Sequence, residues 1–215
     1  MPRRVHSIVV GPFAVNCQLF WDEATGEGVI IDPGDEDELI ATEMEQFGLI
    51  PKAILLTHGH ADHIAAVEPL KEQFGIPLYI GTGDEGMLLD PDQNISAYFN
   101  QPIVARPADK VVSDDDLVRL GPIELRVIST PGHTPGGVCY LDEELGLLFC
   151  GDTLFAGSIG RTDLPGGSFE QLIDSIKKKI MTLPDSVVCY PGHGPKTTVG
   201  AERTSNPFLI GGNYA

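Results

Sequence analysis

The sequence has little positive charge. Its 215 residues include 14 Lys and Arg against 31 Asp and Glu, which gives a formal net charge of −17. Nucleic acids and anionic membrane surfaces attract proteins through basic patches, so we expect neither as a partner. No apolar run approaches the roughly 20 residues that a membrane-spanning helix needs. The N-terminal segment also lacks the apolar stretch and cleavage site of a signal peptide, so we expect a soluble cytoplasmic protein.

Cysteine is scarce and linkers are absent. The four cysteines are widely spaced, lie in or beside apolar runs and form no C-x-x-C pair: Cys17, Cys139, Cys150 and Cys189. This setting predicts buried thiols in a reducing compartment, while a disulfide stays open because pairing cannot be read from sequence. No low-complexity segment divides the chain. We therefore predict one domain over residues 1–215.

Short apolar runs alternate with amphipathic segments along the chain. The runs predict the following strands: Ser7–Val10, Cys17–Trp21, Gly28–Ile31, Ala53–Leu56, Pro77–Ile80, Leu117–Leu120, Ile123–Ile128, Val138–Leu141, Leu147–Cys150 and Val187–Tyr190. Apolar residues spaced by three or four predict helices over Asp35–Phe47, Ile64–Phe74 and Ser168–Leu183, with a short one near Glu85–Leu89. Pro69 predicts a late start or a kink in the second helix. Strands mixed with helices in both halves predict an α/β protein whose sheets are covered by helices.

Histidine and aspartate are concentrated in loops that follow predicted strands. The strand Ala53–Leu56 runs into Thr57–His63, which reads T-H-G-H-A-D-H and holds three of the six histidines. His133, Asp152 and His193 follow three later strands, and each lies beside a glycine. Ligands of α/β folds collect at the carboxyl ends of strands, so we predict that these four loops converge on one site.

These loops offer a ligand set for divalent metals. Imidazole and carboxylate groups are ligands of zinc and related ions. The predicted ligands are five histidines and two aspartates: His58, His60, Asp62, His63, His133, Asp152 and His193. Taken singly, His133, His193 and Asp152 fit turn residues equally well, but seven ligands together exceed one tetrahedral ion and predict two. Zinc is the first expectation, with iron or manganese as alternatives.

The T-H-G-H-A-D-H motif of Thr57–His63, followed in order by His133, Asp152 and His193, resembles the metallo-β-lactamase fold superfamily. The resemblance covers nearly the whole chain. It implies a four-layer αββα sandwich with the metals at one edge of the two sheets.

The resemblance also implies how the ligands divide. One group would hold the first metal, a second group would hold the other, and one aspartate would bridge them: His58, His60 and His133; Asp62, His63 and His193; and Asp152. Asp32 matches the first motif of the family and would orient a ligand through a hydrogen bond. An Asp-Pro-Gly turn explains Asp32 equally well.

Within the superfamily the resemblance is strongest to glyoxalase II, in residues 151–155 (G-D-T-L-F), 160–163 (G-R-T-D) and 191–195 (P-G-H-G-P). β-Lactamases proper are exported, and many carry Cys where this chain has Asp152. The nuclease branch has an inserted domain and a basic surface. Only 22 residues follow His193, as in a short glyoxalase II-like group without the C-terminal helical domain that contacts glutathione. The resemblance implies hydrolysis of thioesters such as hydroxyacylglutathione, with recognition of glutathione left open.

The implied mechanism is attack by a metal-bridging hydroxide that Asp62 orients as the catalytic residue. The expected substrate is a small, anionic thioester drawn to the metals. Arg161 could clamp a substrate carboxylate, although an ion pair with Asp163 that fixes the loop is the favoured interpretation. The rival enzyme is a mononuclear-iron persulfide dioxygenase, which shares residues 160–163, and a third reading is a non-catalytic metal-binding module. The sequence does not predict the oligomeric state.

Overall fold

Two six-stranded sheets form the centre of the protein in the computed structural model, which describes residues 2–211. The first sheet is built in chain order from β1 (Arg3–Val10), β2 (Val15–Asp22), β3 (Glu27–Ile31), β4 (Ile50–Leu55), β5 (Leu78–Gly81) and β6 (Lys110–Val112). Its first three strands are antiparallel, and β3, β4, β5 and β6 run parallel to one another.

The second half of the chain supplies the second sheet and a small hairpin. Its strands are β7 (Leu117–Leu120), β8 (Ile123–Ser129), β9 (Val138–Asp142), β10 (Leu147–Gly151), β11 (Leu154–Phe155), β12 (Ser158–Ile159), β13 (Val188–Pro191) and β14 (Thr197–Thr198). The sheet has the order β14-β13-β10-β9-β8-β7, in which only β10 and β13 pair in parallel. Strands β11 and β12 pair with each other outside it.

Helices cover the outer faces of both sheets. They are α1 (Asp37–Phe47), α2 (Ala61–Ile64), α3 (Val67–Phe74), α4 (Phe169–Ser175), α5 (Val199–Ser205) and α6 (Pro207–Ile210). One apolar cluster joins the first sheet to α1 and α3, and another joins the second sheet to α4. A third lies between the sheets and includes Phe20, Leu55, Tyr140 and Phe149. These three clusters separate four layers, so the αββα sandwich and the predicted α/β class are confirmed.

The second half repeats the first in outline. Strands β8, β9, β10 and β13 have the same order and directions as β1, β2, β3 and β4. The turn after β2 runs from Asp22 to Gly26, and the turn after β9 runs from Asp142 to Gly146. In both, the glycine has positive φ and donates its N–H to the carbonyl of the aspartate. In both halves an aspartate directly follows the third strand, and the fourth strand leads into a histidine loop. The repeat therefore brings two similar sets of polar residues to one end of the sandwich.

The strand predictions hold with shifts of a few residues at their ends, whereas three helices differ. The segment predicted as one helix over Ile64–Phe74 is divided between α2 and α3, because Ala66 leaves helical geometry and α3 starts just before Pro69, as the proline indicated. The long helix predicted over Ser168–Leu183 is α-helical only in α4. It continues as a π turn over Ile176–Ile180. Helix α1 begins at Asp37 rather than Asp35.

Within residues 2–211 no helix combines the length and the apolar character that crossing a bilayer requires.

Candidate metal centre

The carboxyl ends of four strands deliver the seven predicted ligands to one place. Strand β4 leads into the loop with His58, His60, Asp62 and His63, while β8, β10 and β13 precede His133, Asp152 and His193. The two sheets are joined at this edge. His193 forms an isolated antiparallel bridge with Val15, and Asn16 donates its N–H to the Gly192 carbonyl at 2.7 Å.

The first group comprises His58, His60 and His133, all buried. One potential ligand atom from each lies within 4.8 Å of the others. The closest pair is His60 Nδ1 and His133 Nε2, 2.9 Å apart. This is the set that the sequence assigns to the first metal.

The second group comprises Asp62, His63 and His193, which also satisfy the 4.8 Å criterion. Asp62 Oδ2 lies 3.4 Å from His193 Nε2 and 3.9 Å from His63 Nε2. Asp152 lies between the two groups, with Oδ1 3.5 Å from His63 Nε2 and Oδ2 3.6 Å from His133 Nε2. The structure thus brings all seven residues together, and His58, His63 and Asp152 form a third set that meets the same 4.8 Å criterion.

Asp32 fixes the orientation of the first histidine loop. Its two carboxylate oxygens accept hydrogen bonds from the Thr57 N–H at 2.8 Å and the Thr57 hydroxyl at 2.6 Å. The hydroxyl has one proton and gives it to Asp32, so its 3.1 Å contact with His58 Nδ1 requires the ring to donate. His58 therefore presents the lone pair of Nε2 to the centre. Asp32 Oδ2 also lies 3.1 Å from His63 Nδ1.

A backbone carbonyl fixes the tautomer of His133. His133 Nδ1 lies 2.7 Å from the Arg161 carbonyl oxygen, which can only accept, so the ring donates from Nδ1. Nε2 then carries the lone pair that faces His60 and Asp152. Arg161 thus contributes to the centre through its main chain, a role that its side-chain chemistry in the sequence did not indicate.

The buried atoms without hydrogen-bond partners fit a site for divalent metal ions. Among residues 2–211, His58 Nε2, His63 Nε2 and Asp152 Oδ1 are buried without a hydrogen-bond partner. Such atoms are rare in folded proteins unless an ion or a water satisfies them. At Gly192 a Cβ atom would overlap Asp152 Oδ1 and His63 Cε1. No side chain larger than that of glycine therefore fits at residue 192 beside these two residues.

His58 and His60 of the first group differ in protonation from His63 of the second. Burial, together with the neighbouring histidines, lowers the pKa of His58 and lowers that of His60 to about 3. Burial alone would also lower the pKa of His63, but Asp152, Asp62 and Asp32 outweigh it and raise the value to about 10. His58 and His60 are therefore neutral imidazoles, ready to bind a cation. The second group would release a proton on binding one.

An apolar cleft of about 370 Å³ opens onto the centre. His60, Asp62, His133, Asp152 and His193 lie on its floor. Its walls are largely apolar and include Phe13, Ile95, Phe99, Phe155, Ile159 and Leu164. Phe13 and Phe99 meet edge to face with ring centroids 4.9 Å apart, and both are about half exposed. The cleft can therefore take an acyl group beside the metal ligands.

The Arg161 side chain lies at the cleft and is paired with a carboxylate. Its Nε and Nη2 atoms donate to Asp163 Oδ1 and Oδ2, both at 2.8 Å. This is the ion pair that the sequence interpretation favoured. The sequence did not single out Asp84, which is fully buried and contacts both histidine loops of the first group.

Comparison with known proteins agrees with this geometry. The family model described as the metallo-beta-lactamase superfamily matches residues 10–193. A relative in Bacillus subtilis named probable metallo-hydrolase YqgX is 40% identical over 94% of this chain and 95% of its own length. Hydroxyacylglutathione hydrolase GloC of Haemophilus influenzae is 38% identical over 95% of this chain and 97% of its own.

Solved structures extend the similarity to the whole fold. BLEG-1, named a B3 metallo-beta-lactamase, superimposes with a TM-score of 0.93 at 41% identity and covers 97% of this chain and 100% of its own. TTHA1623 in a di-iron-bound form gives a TM-score of 0.84 at 38% identity, with 95% of this chain and 100% of its own covered. The match spans both of these solved chains completely.

Proposed function

This chain belongs to the metallo-beta-lactamase superfamily, and on that premise we propose that it is a binuclear metallohydrolase acting on thioesters such as hydroxyacylglutathione. The observation that carries the proposal is the pair of ligand groups joined by Asp152. The name of the H. influenzae relative supports the substrate class.

Each ligand group would hold one ion. His58, His60 and His133 would hold the first; Asp62, His63 and His193 would hold the second; and Asp152 would contact both. Mixed imidazole and carboxylate ligands support zinc. Iron or manganese would suit the same donors, and TTHA1623 is a neighbour solved in a di-iron-bound form.

Two divalent ions, when bound, lower the pKa of a water between them and polarise the carbonyl oxygen of a substrate. Asp62 lines the cleft and contacts His193, so its carboxylate can accept a hydrogen bond from the attacking water and aim it at the carbonyl. A thioester suits the site because a thiol has a pKa of about 8.5 and leaves as thiolate without a strong general acid.

The cleft supports a small substrate with an apolar acyl part. Its walls are mostly apolar, and its one basic side chain among the described lining residues, Arg161, is paired with Asp163. The positive charge that attracts an anionic thioester would then come from the metals. The four cysteines are free and buried, which supports a reducing compartment such as the cytoplasm.

Elemental analysis followed by a panel of substrates tests the proposal. The wild-type protein should contain two ions per chain, mainly zinc, and should hydrolyse lactoylglutathione and simpler thioesters. A β-lactam belongs in the panel because one neighbour is named a β-lactamase. His60→Ala and Asp152→Ala should lose metal and activity. His6→Ala is the matched control, since His6 is partly exposed and pairs with Glu43 away from the ligands.

One observation favours a second candidate function. His58, His63 and Asp152 form a cluster of two histidines and one carboxylate, the ligand set of mononuclear iron oxygenases. A persulfide dioxygenase would contain one iron per chain and consume oxygen, and that result would overturn the hydrolase. Absence of turnover on every ester and thioester would instead support a non-catalytic metal-binding module.

A further inference from the structure

Asp84 is a fully buried carboxylate in the loop after β5, outside the seven metal ligands. Among residues 2–211 no Lys or Arg forms a salt bridge with it, and burial raises its pKa. Burying a carboxylate without a cation is costly unless hydrogen bonds replace its hydration. The partners of Asp84 should therefore show what it does.

The Asp84 carboxylate joins two loops that are distant in sequence. Its Oδ2 atom accepts from the Gly59 N–H at 3.1 Å, and Gly59 lies between His58 and His60. The same oxygen accepts from the Thr134 hydroxyl at 2.7 Å, while Oδ1 accepts from the Gly136 N–H at 2.6 Å. Both of these donors lie within three residues after His133.

The packing around Asp84 leaves the two loops little freedom. A Cβ atom at Gly136 would overlap the Asp84 main chain and carboxylate. A Cβ atom at Gly59 would overlap Met87, three residues after Asp84. Both loops therefore pack against the segment from Asp84 to Met87 at glycines that have no space for a side chain.

We infer that Asp84 is a positioning residue for the first metal site, because it holds the loop of His58 and His60 against the loop of His133. This inference rests on the proposed function, in which these three histidines bind one ion. Within residues 2–211 the hydrogen bonds of the Asp84 carboxylate go to Gly59, Thr134 and Gly136, and not to the three imidazoles. Asp84 instead acts on the distance between the two loops. That distance is short, since His60 Nδ1 and His133 Nε2 are 2.9 Å apart.

Zinc titration of Asp84→Asn against a chromophoric chelator tests the inference. Asparagine has one acceptor oxygen in place of two, and its amide group would face an N–H or O–H donor. We expect the apparent Kd of one zinc ion to rise about 10- to 100-fold, as for other residues that support metal ligands, with the other ion unaffected. The same substitution in a His193→Ala background, which removes a ligand of the other group, should weaken the remaining ion.

Asp22→Asn is the matched control. Asp22 is equally buried and accepts hydrogen bonds from the Ala24 and Thr25 N–H groups at the opposite end of β2. The Asp22→Asn variant should bind both ions with wild-type affinity. Equal weakening in Asp22→Asn and Asp84→Asn would mean a general effect on the fold and would overturn the inference.

Thr134→Val keeps the test usable if Asp84→Asn does not fold. It removes one donor to Asp84 and should weaken the same ion about 2- to 10-fold, the effect of one hydrogen bond. The inference would be overturned, and the proposed function would stand, if Asp84→Asn bound both ions with wild-type affinity. If Asp84→Asn does not fold, the same result for Thr134→Val would overturn it. A wild-type protein that binds fewer than two ions would instead overturn the proposed function and the inference with it.

Discussion

Asp32 shows how much one side chain can order at the scale of a residue. It has a positive φ of 53°, which Asp and Asn tolerate better than most residues. Its carboxylate directs the Thr57 hydroxyl, which in turn sets the tautomer of His58. The Asp-Pro-Gly turn and the ligand-orienting role, which the sequence left as alternatives, are thus compatible in this geometry.

Asp32→Asn should weaken metal binding without unfolding the protein. Asparagine suits the positive φ but can accept only one of the two hydrogen bonds from Thr57. We expect a loss of about 10- to 100-fold in metal affinity, measured by chelator competition. Asp92→Asn, at an exposed position, should leave the affinity unchanged. Equal affinities for Asp32→Asn and the wild type would contradict the role of Asp32 as an orienting residue.

The pair Arg161–Asp163 should contribute little to stability. Both side chains are more than 60% exposed, and exposed ion pairs are typically worth about 0–1 kcal/mol. A double-mutant cycle with Arg161→Ala and Asp163→Ala, followed by urea denaturation, should give a coupling energy in that range. A loss in kcat/KM of more than tenfold, about 1.4 kcal/mol, for Arg161→Ala alone would assign Arg161 to the substrate.

The cluster of seven proposed ligands could be predicted because histidine is rare in this chain and five of the six histidines lie in loops after strands, with Asp62 and Asp152 beside them in the same kind of loop. Asp84 also lies in a loop after a strand, β5. It could not be singled out, because it is one of 31 acidic residues and has no histidine beside it in the sequence. The Arg161 carbonyl could not be predicted, because a main-chain acceptor is present at every residue. Contacts made by the backbone therefore limit what sequence reasoning can find in this site.

At the scale of elements, the C-terminal helices support a wall of the cleft. Glu202 in α5 is buried and accepts from the Gly157 N–H at 2.9 Å and the Thr197 hydroxyl at 2.6 Å. Asn206, before α6, donates to the Ser158 carbonyl at 3.0 Å. Gly157 and Ser158 belong to the β11–β12 hairpin, which lines the cleft. The segment after His193 is thus tied to the site.

Glu202→Ala should destabilise the protein. It leaves the Gly157 N–H and the Thr197 hydroxyl without their acceptor in a mostly buried setting. We expect the free energy of unfolding to fall by about 2–4 kcal/mol in urea denaturation. Glu45→Ala, on the exposed side of α1, is the control and should stay within about 0.5 kcal/mol of the wild type. If Glu202→Ala also changed the free energy of unfolding by no more than about 0.5 kcal/mol, the hairpin would not depend on α5.

Helix ends were harder to predict than strands. Strand positions followed from apolar runs bounded by turns, and the buried faces of the sheets confirm them. The long helix was predicted correctly at Ser168, whose hydroxyl accepts the Gln171 N–H. The spacing of its apolar residues does not indicate the π turn over Ile176–Ile180, because Ile176 and Ile180 are buried in the π turn as they would be in an α-helix. Tertiary packing rather than local periodicity decides that detail.

At the scale of the whole molecule, the repeat of strand order explains why the predicted metal ligands converge. In each half, two parallel strands end at the same edge of the sandwich. They are β3 and β4 in the first half and β10 and β13 in the second. Asp32 and Asp152 follow β3 and β10, while His58 and His193 follow β4 and β13. The two halves place like residues at like positions, yet Asp32 supports a ligand while Asp152 lies between the two ligand groups. The centre is therefore assembled at the junction of both halves, and binding there should stabilise the entire fold.

Removal of metal should therefore lower the melting temperature. An ion that binds only the folded state at about 100 times its Kd adds about 2.7 kcal/mol of stability. For about 200 residues, 1 kcal/mol shifts Tm by about 2–4 °C. Two ions should thus raise Tm by on the order of 10–20 °C over the chelated protein, measured by scanning calorimetry. His58→Ala removes a ligand of the first group, so metal should raise the Tm of this variant less than it raises that of the wild type. The reason is that an ion stabilises both halves only if it binds the loops of both. An unchanged Tm on chelation would contradict a metal centre shared between the two halves.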